Sequence, residues 1–266
     1  LTKSPDRLYI AELTAKFVQA AGIMKEGFSF QSGAGGTALA FAIYLKEMMI
    51  EAGIKARFIR GGSTKYLVEM LEEGLTDYIL DGQTFDLEGV RSMRENSGHV
   101  NTSPFTSYNW HGKGNFASML DAVVLGATEV DINFNANVVT HSDGQMLHGI
   151  GGWQNCLSSK CTILPIPSFR NRIPIIVDEV TTLVGPGELI DVIVTERGIA
   201  INPLREDLIK ATKRSGLPIR RIEEIKEEVD DLVGAPLDKP IFSDEVVGVV
   251  KWVDGTVLDS IFKVNR

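Results

Sequence analysis

The sequence predicts an α/β fold: a doubly wound, mainly parallel sheet with β-hairpin elaborations, formed as a single domain over residues 1–266. Three observations lead there. From Phe28 to Asp81 short apolar runs alternate with helix-period segments at the spacing of βα units, the pattern of a parallel sheet covered by helices. Glycine turns separate the first two runs from the helices that follow them. After Asp121 strand-like runs dominate.

Taken in order, Ser4 reads as an N-cap and Pro5 as the first residue of a helix whose apolar face is Leu8, Ala11, Phe17, Val18 and Ala21. FSFQ (Phe28 to Gln31) is a strand, Ser32-Gly33-Ala34-Gly35-Gly36 a turn, and Thr37 to Ala52 a helix. The unit then repeats: strand Ala56 to Arg60, turn Gly61-Gly62, N-cap Ser63, and a helix ending at Gly74. Tyr78 to Asp81 is a third parallel strand. Glu95 to Gly114 is polar and irregular, a length of loop that points to function rather than linkage. Further strands are expected over Asp121 to Ala127, Glu129 to Val139, Cys161 to Ile166, Ile173 to Val184 and Asp191 to Glu196. A helix follows from Leu204 to Arg214, then a charged amphipathic segment from Arg220 to Gly234 and a late strand from Val246 to Val253. No low-complexity tract or fixed-period repeat interrupts this order.

Composition bounds the function. With 44% hydrophobic residues the chain can bury a large core, and its net charge of −8 argues against a general nucleic-acid surface, which needs a basic stripe. No run approaches the ~18 apolar residues that span a bilayer. The charged opening residues do not read as a signal peptide. Cys156 and Cys161, at C-x4-C spacing without a second pair or nearby histidines, read as free thiols of a reduced compartment, so a cytoplasmic protein is expected. The absence of an initiator Met, and an opening at the approach to a helix, suggest one half of a longer polypeptide.

Several clusters could carry chemistry. The turn holding Gly33, Gly35 and Gly36 lies between strand and helix, where backbone N–H groups and the helix dipole favour an anion; an ordinary tight turn fits equally well. Glu129 follows an apolar strand, at the kind of strand end where ligands sit in α/β sheets, with Asp131 and Asn133 on the same face by period-2 alternation. By residue type alone it is more often an edge acid facing water. Gly149 to Asn155 is a second glycine turn, open to close backbone approach. Glu196 and Arg197 stand side by side after a strand, either a site or a salt-bridged turn. Arg170 and Arg172 fit a solvated loop better than an anion clamp, and Glu223 to Asp231 a solvated helix face. His99, His111, His141 and His148 lack metal spacing, and Ser63, Ser97 and Ser107 lack a nucleophile elbow.

Together these segments bear a resemblance. FQSGAGGTALA, GATEVDINFNANVVTHSDG, GIGGWQN and RNRIPIIVDEVTTLVGPGELIDVIVTERGIAINP resemble, in order and across nearly the whole chain, the C-terminal half of the citrate lyase alpha subunit family, the citrate CoA-transferases. The resemblance implies a CoA-transferase-like fold that normally follows a comparable N-terminal half. It implies exchange of acetate for citrate on an acetyl thioester, giving citryl thioester and acetate. The thiol would belong to a phosphoribosyl-dephospho-CoA group on the gamma (acyl carrier) subunit, a beta subunit would cleave the product, and the assembly would be oligomeric; no metal is implied for this step.

The resemblance places Glu129 at the family's catalytic glutamate, either as a nucleophile forming an acyl-glutamyl anhydride or as an orienting carboxylate in a ternary complex. It puts the oxyanion donors at Gly151 and Gly152 and the pantetheine path along Gly33, Gly35, Gly36 and Glu196. Arg60, Arg170, Arg172 and Arg197 are the cations available to citrate carboxylates. Two alternatives stand beside it: another carboxylate CoA-transferase or acyl-CoA hydrolase on the same scaffold, and a non-catalytic domain binding an anionic metabolite.

Overall fold

A computed structural model describes residues 2–33, 35–108, 115–234 and 240–265. Ala34, His111 and Gly114, which figure in the expectations above, lie outside the described residues.

The alternation of apolar runs and glycine turns folds as it reads. Helix α1 (Pro5–Ala20) precedes β1 (Ser29–Ser32), α2 (Gly36–Ala52), β2 (Ala56–Ser63), α3 (Lys65–Glu72) and β3 (Thr76–Thr84). Pro5 begins α1, and Ser4 occupies its N-cap without a side-chain hydrogen bond. Gly53, in the left-handed region at φ 63°, stops α2 where a side chain would be strained. Next come α4 (Leu87–Glu95), β4 (His99–Asn101), α5 (Pro104–Tyr108) and β5 (Ala122–Val124). The stretch read as one irregular loop from Glu95 thus contains β4 and part of the helix pair around it. Helix α4 had no sequence expectation; Asp86 caps it by accepting from Gly89 N–H at 2.8 Å.

The second half contains β6 (Glu129–Asp131), β7 (Ala136–Asn137), α6 (Trp153–Cys156), β8 (Thr162–Pro165), β9 (Phe169–Arg170), β10 (Ile173–Pro174) and β11 (Ile176–Val177). It continues with β12 (Val192–Thr195), β13 (Gly198–Ile201), α7 (Glu206–Thr212), α8 (Ile222–Val233), β14 (Phe242–Lys251) and β15 (Val257–Val264). Eight strands form one sheet in the order β13-β12-β8-β5-β1-β2-β3-β4, parallel except where β13 turns back on β12. The chain runs outward from β1 to β4 and then returns to β5 on the other side of β1. The strand order therefore reverses between β1 and β5, the switch point at whose carboxyl end open α/β sheets open a crevice.

Both faces of this sheet are buried, and neighbouring residues alternate between them. Ala122 and Val124 join one core with α1, α2 and α3, whereas Val123 joins the other with α8; Val192 and Ile193 divide the same way. A third, smaller cluster ties Val138, Val139 and Val184 to Val250 and Ile261 of the β14–β15 hairpin.

Three expectations need correction. Glu129 to Val139 is no single strand: Phe134 takes a left-handed φ of 66°, and the chain reverses to pair β6 with β7. Asp131 closes that turn by accepting from Asn133 and Asn135 N–H at 2.9 and 3.0 Å. Ile173 to Val184 forms only the short β10 and β11, after which it becomes a loop. Ser63 is not the cap of α3; Thr64 holds that position, and the Ser63 hydroxyl donates to Asp81 instead.

Candidate functional site

Glu129 emerges just beyond the carboxyl end of β5, in the small sheet β11-β6-β7. It does not face water as an edge acid: it is 1% exposed, because β6 is the middle strand and the 178–184 loop covers it. A buried carboxylate needs donors, and this one has three. Asn137 Nδ2 and Thr181 N–H donate to Oε2, each at 2.9 Å, and the Thr181 hydroxyl donates to Oε1 at 3.1 Å. Asn137 is fixed in turn: its Oδ1 accepts from Val139 and Thr140 N–H, and its Nδ2 also reaches Thr140 Oγ1 at 2.8 Å. Thr140 then meets Thr182, hydroxyl to hydroxyl, at 2.9 Å. Asp131 lies on the face of Glu129 as expected, but it is absorbed by the turn; Asn133 belongs to that turn and not to the strand.

Both glycine turns converge on the same end of the sheet. Gly33 follows β1, and a Cβ there would sit 3.9 Å from the carbonyl oxygen of Val124, the last residue of β5. Gly35 is the N-cap of α2, with open space where a Cβ would be, so its backbone is approachable. Gly36 begins α2 and lies against Thr2. In the second turn Gly151 takes φ 59°, a conformation suited to glycine, and Gly152 caps the short α6. Trp153 anchors this turn to the approach to Glu129, donating Nε1–H to the Gly126 carbonyl at 2.9 Å. Cys156 anchors it to β1, where Gln31 Nε2 donates to Sγ at 3.1 Å. Gln31 Oε1 accepts from Arg60 at 3.0 Å, so the fully buried Arg60 stands behind the turn rather than in an open pocket.

The other arginines differ in how far they are committed. Arg197 donates to Glu228 at 2.7 Å and to Ser168 Oγ at 3.1 Å, and its guanidinium lies over the Phe169 ring. Glu196 accepts from Ser168 N–H at 3.0 Å and from the Ser168 hydroxyl. Glu196 and Arg197 therefore form a salt-bridged, hydrogen-bonded turn between β12 and β13. Arg172, left-handed at φ 65°, donates to the Val233 carbonyl at 2.9 Å. Arg170 is different: its Nε is buried and has no hydrogen-bond partner among the described residues. Burial, and then the like charge of Arg7 on α1, lower its pKa. No carboxylate offsets that pair of cations in the described ion pairs.

A second buried polar cluster lies across β2, β3 and β4. Asp81, 1% exposed, accepts from the hydroxyls of Ser63 and Thr84 at 2.8 and 2.7 Å and from Gln83 N–H at 2.9 Å. His99 Nε2 stands 3.5 Å from it, while Nδ1 meets Ser92 Oγ at 2.9 Å. Burial pushes the Asp81 carboxyl up, but His99, Thr84, Ser63 and Gln83 together outweigh it and hold the group at about 2. Both cysteines are free and buried, and burial raises each thiol. His148 Nδ1 contacts the Gly149 carbonyl at 2.8 Å. No three His, Cys, Asp or Glu side chains converge on a metal position among the described residues, and no described helix is long and apolar enough to cross a membrane.

Sequence reading missed Asn137 and Thr181 as partners of Glu129, and Thr140 and Thr182 as the hydroxyls behind Asn137. The reversal was missed as well; the signal that could have shown it is the D-x-N-x-N spacing of Asp131, Asn133 and Asn135, whose side chain and amides build the turn.

Comparison with known proteins places this arrangement. Residues 1–264 match the family model for the citrate lyase alpha subunit (CitF). The citrate lyase alpha chain of Klebsiella pneumoniae is 42% identical over 268 aligned residues, covering 100% of this chain and 52% of that protein. The chain thus spans about half the length of the curated relatives it matches. A crystal structure from Streptococcus mutans, assigned as the alpha subunit of citrate lyase and solved in complex with citrate, superposes with a TM-score of 0.97 at 42% identity; it covers 100% of this chain and 52% of its own. The alpha subunit of a malonate decarboxylase from Acinetobacter baumannii, at TM-score 0.59 and 17% identity over 88% of this chain and 59% of its own, shares the fold.

Proposed function

This chain belongs to the citrate lyase alpha subunit family, and from that premise we propose that it carries the citrate CoA-transferase step, as the C-terminal half of the longer alpha subunit. The reaction is acetyl thioester plus citrate giving citryl thioester plus acetate. The observation that carries this reading is Glu129: a carboxylate buried at the sheet's switch point, with three donors on its two oxygens and glycine turns converging beside it.

Each part of the crevice has a chemical task. The backbone at Gly33, Gly35 and Gly36 offers an approach for the pantetheine arm, because no Cβ obstructs Gly35 and α2 begins there with its positive dipole end. Gly151 and Gly152 supply N–H groups for the tetrahedral oxyanion. Arg170 is the cation for a citrate carboxylate, since its half-buried side chain has no carboxylate partner in the described ion pairs while Arg172 and Arg197 are held by protein partners. Arg60 supports from behind through Gln31, and Glu196 orders the Ser168 turn at the rim. The thioester is presented on the phosphoribosyl-dephospho-CoA group of the gamma subunit, the beta subunit consumes the citryl product, and the complex is oligomeric and cytoplasmic.

Two routes use these groups. In one, the Glu129 carboxylate attacks the acetyl thioester, expelling the thiolate and forming an acetyl-glutamyl anhydride, which the thiolate converts to glutamyl thioester and acetate. A citrate carboxylate then displaces the thiolate to form a citryl-glutamyl anhydride, and the thiolate takes the citryl group, releasing the Glu129 carboxylate. In the other, a citrate carboxylate attacks the thioester directly while Glu129 orders the site. Three donors on Glu129 leave it a weakened nucleophile, which supports the direct route.

The test uses the complete alpha subunit with its acyl carrier. Acetate release from the acetyl thioester is measured with citrate, with short fatty acids and with water as acceptor. Release with citrate, and its loss in Glu129→Gln, is the expected result. Release with fatty acids or water alone points to another CoA-transferase or a hydrolase, and full activity of Glu129→Gln to a site that works without this carboxylate.

A further inference from the structure

We infer that Asp259, on the β14–β15 hairpin, is a positioning residue for Glu129, an inference that rests on the catalytic reading of that glutamate. The connection runs through the loop between β11 and β12. Thr181 gives Glu129 two of its three hydrogen bonds, one from the backbone and one from the hydroxyl. Two residues further on, Leu183 N–H donates to Asp259 Oδ2 at 2.7 Å, a charge-assisted bond short enough to rank with the strong ones. The other oxygen of Asp259 accepts from Ser260 N–H at 2.7 Å, so the carboxylate itself cannot swing away.

Packing alone does not hold this loop. Between Thr140, Thr181 and Thr182 on one side and Phe242, Ser260, Ile261 and Phe262 of the hairpin on the other lies a partly open pocket of about 50 Å³. The loop therefore lacks close packing against the hairpin on that side. What ties it to the hairpin is the Asp259 bond at one end and the burial of Val184 against Val250 and Ile261 at the other. Val250 pairs directly with Asp259 in the ladder, so the polar anchor and the apolar plug come from the same rung. Much of the rest of the hairpin is exposed, including Val246, Val247 and Val249, and among the described residues it pairs with no other sheet.

The experiment compares Asp259→Ala, Asp259→Asn, Thr181→Val and Asp259→Ala/Thr181→Val in the complete alpha subunit with its acyl carrier, with Glu129→Gln alongside. Citrate-dependent acetate release is read as kcat and KM, and thermal melts confirm folding. Asp259→Ala is expected to lower kcat about tenfold with KM for citrate unchanged, the effect of one lost charge-assisted bond. Asp259→Asn keeps a carbonyl acceptor for Leu183 N–H and is expected to recover part of the loss. The double variant is expected to lose less than the product of the two single losses, because both act through the same loop. A kcat equal to that of the unaltered enzyme in Asp259→Ala, a matching rise in KM, or no recovery in Asp259→Asn overturns the inference while Glu129→Gln remains inactive. Full exchange in Glu129→Gln overturns the reading of Glu129 itself, and the inference with it.

Discussion

Asn137 Nδ2 stands 2.9 Å from Glu129 Oε2, across the rung where β6 and β7 pair the two residues directly. Both are buried, and the Asn137 carbonyl is already occupied by two backbone N–H groups. Asn137→Asp keeps those two acceptor bonds and changes the Nδ2 side, which faces Glu129 and Thr140 Oγ1, so that a donor becomes a second carboxylate. Two buried carboxylates at this distance cannot both ionise, so the variant pair must take up a proton or repel. Acetate release is expected to fall at least about a hundredfold, as when a positioned donor is removed from a site. Melting temperatures at neutral pH are expected to fall and to recover on acidification; exchange at the normal rate in this variant would remove the Asn137 contact from the machinery.

Asp81 provides a pH dependence that owes nothing to Glu129. Its folded carboxyl is held at about 2, below the ordinary value of 3.8, by His99, Thr84, Ser63 and Gln83 working against burial. A depressed carboxylate contributes stability that is complete above the unfolded value and is lost as pH falls through the folded one. The window is therefore from near pH 4 down to about pH 2, and the contribution is about 2 kcal/mol. Denaturant unfolding across that range is expected to show the loss in the unaltered protein and not in Asp81→Asn. Parallel curves for the two would mean that Asp81 binds its proton as readily folded as unfolded.

The arginines divide by what already holds them. Arg197 is spent on Glu228 and Ser168, whereas the Arg170 Nε has no partner among the described residues. Arg170→Gln is expected to raise KM for citrate about tenfold with kcat little changed, the pattern of lost ground-state binding to a carboxylate. Arg197→Gln is expected to do the reverse, leaving KM alone while lowering stability by about 1–2 kcal/mol through the broken Glu228 and Phe169 contacts. Steady-state kinetics with thermal melts on both variants separates them. A citrate KM that rises in Arg197→Gln and not in Arg170→Gln would exchange their roles.

The sheet was legible because its signals are local. Apolar runs, glycine turns and the period of α2 sit within a few residues of the elements they specify, so β1 to β3 and their helices fall close to where the sequence puts them. The surroundings of Glu129 were not, because they depend on one residue's backbone. Alternation carried through Asp131-Ile132-Asn133 predicts a continuing strand, but Phe134 takes φ 66° and sends the chain back. That reversal replaces Asn133 with Asn137 as the neighbour of Glu129. Thr181 could not be found by spacing at all: it reaches Glu129 from 52 residues away, through a segment whose β-branched apolar composition reads as a strand and folds as a loop. Residue type likewise misjudged Glu129 as an exposed acid, because its burial is created by β7 and β11 on either side.

The route of transfer can be followed with oxygen-labelled citrate in a single turnover. On the direct route a citrate oxygen attacks the acetyl carbonyl, the thiolate leaves, and its return to the citryl carbonyl releases acetate carrying that oxygen. On the glutamyl route the first acetate takes its oxygen from Glu129, and the citrate oxygen is left behind in the Glu129 carboxylate. Oε2 of Glu129 accepts two hydrogen bonds and Oε1 one, each of which lowers the charge available for attack. Freeing Oε1 requires the Thr181 hydroxyl to turn away, while the Thr181 N–H and Asn137 bonds to Oε2 remain. The label is therefore expected in the first acetate, read by mass spectrometry, and absent from the peptide containing Glu129. Label in that peptide, with unlabelled first acetate, would show that the loop opens far enough for the carboxylate to become the nucleophile, and Thr181→Val would then be expected to speed the first step rather than slow it.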